Sequence, residues 1–132
     1  MAGDVHPVAV AVQLDDAFNR RDVPTFLGLL HRTVEISNAD GDMALGHAGA
    51  RWFLEGADTT GTGRYIRRSH YVCSGPTVSG AVEVELRDHR SGDVLARSHM
   101  VVKLECAAGK VRALDLRRSR REEMVGASEV SL

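Results

Sequence analysis

His70 is the residue through which this sequence could do chemistry. It stands in Ile66-Arg67-Arg68-Ser69-His70-Tyr71-Val72, a stretch that alternates like a strand, and it shares its parity with Ile66 and Val72. An imidazole with a pKa of about 6.5 both takes and gives a proton near neutrality. General acid/base catalysis requires that ability. On the other reading the ring is half-buried and simply hydrogen-bonded to Asn19 or to a backbone carbonyl. Arg68, if it points inward, would neutralise a carboxylate or an enolate. Asn19 could present its amide to a ligand carbonyl, or serve the turn between two helices. Asn38 could orient a water or a substrate oxygen, or belong only to the loop around Asp40-Gly41. His6, His47, His89 and His99 read as surface residues, and His31 as a cation at a helix C-terminus. The histidines do not converge as three metal ligands would, so no metal is expected.

The rest of the chain limits what those residues can be part of. With 132 residues it is long enough for one real core and too short for two. Its composition, 43% hydrophobic and 27% charged with a net charge of −1, is that of an ordinary globular domain. Near-neutral charge argues against nucleic acid as a partner. The run Arg117, Arg118, Arg120, Arg121 is followed directly by Glu122 and Glu123, and reads as the solvated end of a strand. No apolar run approaches the roughly 20 residues of a membrane span, and no basic-flanked apolar leader is visible, so a cytoplasmic home is the default expectation. Cys73 and Cys106 match no metal spacing and read as small buried hydrophobes in strands.

The positioning elements come next. Residues 65–118 read as a four-strand antiparallel meander. Val82, Val84 and Leu86 alternate with Glu83, Glu85 and Arg87, then Met100, Val102 and Leu104 with His99, Val101 and Lys103. Ser91-Gly92-Asp93 and Ala107-Ala108-Gly109 are the turns, and Gly75-Pro76 looks like a bending device within a strand. Upstream, a helix capped by Asp4 carries Val10, Leu14, Ala17 and Phe18 at helical spacing and ends near Arg20-Arg21. A shorter helix capped by Asp22 carries Phe26, Leu27, Leu29 and Leu30, and 33–38 is a strand. A third helix, 48–55, buries Ala50, Phe53 and Leu54, with Trp52 at the core edge or a rim. Residues 57–63 read as a mobile loop without apolar anchors. The domain spans 1–124, and 125–132 is expected to fray.

Three stretches carry a family resemblance. Ala17-Phe18-Asn19-Arg20-Arg21-Asp22 resembles the helix-to-helix junction of the nuclear-transport-factor-2-like (NTF2-like) superfamily. Gly46-His47-Ala48-Gly49-Ala50-Arg51-Trp52-Phe53 resembles its glycine, small-residue, aromatic helix, and Gly109-Lys110-Val111 resembles the turn into its last strand. The members most similar are the SnoaL-like proteins, which include polyketide cyclases, steroid isomerases and dehydratases. Ketosteroid isomerases hold an enolate oxygen with a Tyr and an Asp at positions that here resemble Leu14 and Met100, so that oxyanion hole is absent. The best site match is to scytalone dehydratase, whose strand histidine would be His70 and whose Tyr-Asp pair corresponds to Phe18-Asn19.

The resemblance implies an α+β fold, with a curled, mostly antiparallel sheet forming a cone and three N-terminal helices over its concave face. It implies a cofactor-independent cyclase, isomerase or dehydratase acting by proton transfer on a polyketide-like or other oxygenated apolar substrate. His70 would be the acid/base and Asn19, Asn38 and Arg68 the polar contacts, with Phe18, Leu14, Trp52 and Met100 as the apolar wall. The alternative is a catalytically silent SnoaL-like ligand-binding or dimerisation module. Superfamily members usually pair, so a homodimer is expected, with a small molecule as the other partner and neither nucleic acid nor membrane.

Overall fold

A computed structural model describes residues 6–38, 40–56, 61–67 and 70–119, with the side chain of residue 67 left aside. Arg68, Asp4, the greater part of the expected loop (57–60) and the expected tail (125–132) lie outside the described residues.

Helix α1 (Pro7–Arg20) starts at Pro7, whose missing N–H costs nothing in a first turn. His6 is its cap, accepting the Val8 N–H on Nδ1 at 3.1 Å. Val10, Ala11, Leu14, Ala17 and Phe18 lie on one stripe and are buried. The helix stops at Arg21, which turns left-handed (φ 55°) and sends its N–H back to the carbonyls of Ala17 and Phe18. Asp22 caps α2 (Val23–Gly28) as expected, through the Thr25 N–H at 3.3 Å and hydroxyl at 2.7 Å. These Thr25 bonds hold its carboxyl below the usual carboxylate range. Helix α2 is shorter than the spacing suggests. His31 and Arg32 belong to the next strand, β1 (Leu30–Ser37), not to a helix end.

The sheet is built from β1, β2 (Met43–Leu45), β3 (Thr62–Arg67), β4 (Val72–Ser74), β5 (Thr77–Arg87), β6 (Val94–Ala107) and β7 (Lys110–Arg118). Its order is β2-β1-β7-β6-β5-β3, with β4 also pairing β5. Every pairing is antiparallel except β1 with β7, where Ile36 lies opposite Leu114. The expected meander is therefore present, but its first strand is split into β3 and β4. Gly75-Pro76 is the β4–β5 hairpin turn, not a bend within a strand. The β6–β7 hairpin turns through Ala108 (φ 53°) and Gly109 (φ 77°), two left-handed residues that match the twist of the paired strands.

Helix α3 (Gly46–Gly56) joins α1 and α2 on the concave side, and the core lies between these helices and the inner residues of the sheet. Val78, Val82, Val102, Leu104, Val111, Leu114 and Leu116 supply that inner face. His47, expected at the surface, is half-buried, and its Nε2 sits 3.0 Å from the Leu30 carbonyl, tying α3 to β1. Cys106 is buried, and burial pushes its thiol up, whereas Cys73, expected inside, is exposed.

The outer face departs from a plain solvated surface. Glu83 and Glu85 project outward from β5 yet are only 3% and 4% exposed. Cations lie close to them. The Arg87 Nε is 2.5 Å from Glu85, the Arg97 Nε is 3.5 Å from Glu85 and 3.9 Å from Glu83, and the His99 Nε2 is 3.4 Å from Glu83. The Arg87 hydrogen bond holds the Glu85 carboxyl below its ordinary range. No helix among the described residues is long and apolar enough to cross a membrane.

Candidate functional site

The cone holds an open cavity of about 510 Å³, within the range of small-molecule pockets. Its sheet wall is Val84 and Leu86 of β5, Ala96, Ser98 and Met100 of β6, and Leu116 of β7. Register explains the grouping, since Val84 lies opposite Ser98 and Leu86 opposite Ala96, all on the inner parity. The helices add Phe18 from α1 and Trp52, Phe53 and Gly56 from α3. Gly63 and Tyr65 of β3, with Asn38 after β1, complete the lining.

Phe18 fixes the geometry of one end. Its ring stacks on Tyr65 at 4.3 Å with 5° between planes, and tilts against Phe26 at 6.2 Å and Phe53 at 6.0 Å. The Arg21 guanidinium lies 4.5 Å over the Phe18 ring and donates to the carbonyls of Phe18 (2.5 Å) and Gly63 (2.6 Å). The Asn19 amide completes the join. It accepts the Tyr65 N–H at 2.8 Å and donates to the Tyr65 carbonyl at 2.9 Å. Phe18, Asn19 and Arg21 thus fasten α1 to β3, which gives that stretch a structural reason for its residue types. Asn19→Ala leaves two backbone groups of β3 without these partners. It should cost about 2 kcal/mol in urea unfolding, and a change below about 0.5 kcal/mol would contradict the clamp.

The electrostatics are set by what the wall lacks. No His, Asp, Glu, Lys or Arg is among the described lining residues, so Tyr65 is their one phenol and their one ionisable side chain. Burial, and next the negative charge of Asp15, push that phenol well above its ordinary value, so at neutral pH it is a hydrogen-bond donor. Its hydroxyl has no hydrogen-bond partner among the described residues, and no fully buried side-chain oxygen or nitrogen there lacks one. The hydroxyl therefore keeps accessible surface. Asp15 is itself buried behind this wall and accepts the Tyr71 hydroxyl at 2.5 Å.

The expected site residues divide accordingly. Phe18, Asn38, Trp52 and Met100 line the cavity. The Asn38 amide oxygen is already committed to its loop, accepting the Asp40 and Asp42 N–H groups at 3.0 and 2.9 Å. Leu14 is packed in the core, and Asn19 serves the backbone clamp. Arg68 lies outside the described residues. His70, expected on the inner wall, is exposed between β3 and β4 and does not line the cavity. The reason is parity. Tyr65 and Tyr71 take the inward positions, while His70 and Val72, which flank Tyr71, face solvent. Tyr65 and Ser98 are the polar wall residues that the alternation argument missed. The signal for Tyr65 was the small-then-large pair Gly63 and Tyr65 on one parity.

No protein-family profile and no curated protein sequence matches the chain. Solved structures do. An NTF2-like protein of unknown function from Burkholderia pseudomallei superposes with a TM-score of 0.74 at 18% identity, over 92% of this chain and 97% of that one. The fold is that of the NTF2-like proteins. A candidate polyketide cyclase from Xanthomonas campestris gives 0.73 at 16% identity over 90% and 94% of the two chains. TerC, co-crystallized with polyporic acid, gives 0.73 at 21% identity over 91% and 97%. At these identities the likeness to NTF2-like structures is one of fold.

Proposed function

We propose that the NTF2-like cone is a binding cavity for a small, uncharged, largely apolar oxygenated molecule, one of whose oxygens accepts a hydrogen bond from Tyr65. The observation that carries this reading is an apolar cavity of about 510 Å³ whose described lining includes no charged side chain and one phenol, Tyr65, whose hydroxyl finds no partner among the described residues. An apolar wall rewards burial of an apolar ligand, and the phenol orients it. No cofactor is invoked.

A second reading, catalysis by proton transfer in the manner of a cyclase or isomerase, is favoured by the same phenol. A buried donor that stays protonated can polarise a carbonyl toward its enol. It also fits the candidate polyketide cyclase among the structural relatives. Binding stands first because proton transfer also needs an acceptor, and the described lining includes neither imidazole nor carboxylate.

One experiment separates the two. Calorimetric titration with 2-acetylnaphthalene should show binding that weakens about tenfold in Tyr65→Phe with no loss of melting temperature. Proton NMR in deuterated water then follows exchange of the methyl protons beside the carbonyl. Binding without accelerated exchange supports the binding module, and acceleration lost in Tyr65→Phe supports the catalyst. If Tyr65→Phe binds as tightly as the parent protein, the phenol is not the contact.

A further inference from the structure

Trp52 is 61% exposed although it lines the cavity. Its place in the lining, not its exposure alone, sets it apart, because a flat indole at a cavity wall offers a ligand a large rigid apolar face. Its helix neighbours are well packed, for Ala50 and Leu54 are buried and Phe53 leans on Phe18. Packing of α3 therefore does not need the Trp52 indole. Four residues on, and so on the same side of the helix, Gly56 also lines the cavity. A Cβ built there meets nothing within 4 Å among the described residues. The two residues stand together in the lining at the C-terminal turn of α3.

We propose that Trp52 is the specificity-determining residue of this cavity, its indole covering the face of a flat, uncharged ring. The inference rests on the reading of the cone as a ligand-binding cavity and adds which ligands it selects. A planar ring lets the indole bury much of its exposed area at little conformational cost. A puckered ring of the same size contacts it at fewer points. Charge is selected against by the described wall, since a carboxylate would leave water for side chains none of which is a cation.

Three probes are titrated by calorimetry: 2-acetylnaphthalene, 2-naphthoate and 2-acetyldecalin, the saturated and puckered counterpart of the first. The acetylnaphthalene should bind about tenfold tighter than either of the others. Trp52→Ala should weaken the naphthyl ketone about tenfold and the decalin ketone less than threefold, with an unchanged melting temperature. Gly56→Leu, at a lining position, should narrow the cavity and weaken both ketones. Equal affinity for the two ketones, or equal losses in Trp52→Ala, overturns the role of Trp52 while leaving the binding cavity in place. Equal binding of the naphthoate overturns the selection against charge. If none of the three binds the parent protein, the cavity reading fails and this inference with it.

Discussion

Phe18→Ala is expected to lower the free energy of unfolding by about 4 kcal/mol. Phe18 is 3% exposed and stands where α1, α2, α3 and β3 meet, in contact with the rings of Phe26, Phe53 and Tyr65 and with Arg21. Truncation removes the transfer free energy of the ring and opens a void. That void adjoins an existing cavity, so the surrounding rings gain little by collapsing into it. Set against a typical total of about 5–15 kcal/mol for a domain, the loss is large. Urea titration followed by circular dichroism measures it, with an unchanged denaturant slope as the sign that both end states are preserved. Phe18→Leu should recover at least half. A loss below about 1 kcal/mol would show that the four-way aromatic contact is not central to the fold.

The second large effect concerns Gly80 on β5. A Cβ at that position would stand 2.5 Å from Cδ1 and 2.8 Å from Cε1 of Tyr71. The ring cannot swing aside freely, because Tyr71 is 7% exposed and its hydroxyl donates to the buried carboxylate of Asp15 on α1. Gly80→Ala must therefore displace the ring and weaken a hydrogen bond to a charged group. Overpacking and the weakened bond together should cost about 3 kcal/mol. A double-mutant cycle separates this steric account from a backbone one. In a Tyr71→Ala background, Gly80→Ala should cost less than about 0.5 kcal/mol, giving a coupling near the full effect of the single change. Additive costs would mean that Gly80 is needed for its backbone and not for the ring beside it.

The sheet was legible wherever alternation was strict. Val82, Val84 and Leu86, and later Val102, Leu104, Leu114 and Leu116, read as inner positions, and the structure bears this out, with Val84 and Leu86 half-buried against the cavity. Alternation misled around residue 70, because Ile66 and Val72 are apolar and Tyr65 and Tyr71 are amphipathic. Hydropathy ranks the first pair as inner. Volume decides otherwise, since a tyrosine buries more area, and Tyr71 finds a hydrogen-bond partner in the buried Asp15 of α1. That inversion carried His70 to the wrong side and hid Tyr65. Asp15 was hidden too, because the charge of an aspartate outweighs its place on the buried stripe of α1 when only side-chain types are read. The three-residue β2 and the parallel pairing of β1 had no local signal at all, since both depend on partners distant in sequence. At the site, residue types showed an apolar interior, but which groups would share one cavity waited on the packing of α3.

The pairing of β1 with β7 has a consequence for how the chain is made. Leu30 meets Val111, and Ile36 meets Leu114, so one of the earliest strands in the sequence finds its inner neighbour only in the last. Contacts that span so much chain are slow to form, because a long loop must be closed before any of them is rewarded. On the ribosome, α1, α2 and β1 emerge well before β7 is available. Until the final hairpin has left the exit tunnel, β1 presents an open edge to whatever is nearby, including β1 of another nascent copy.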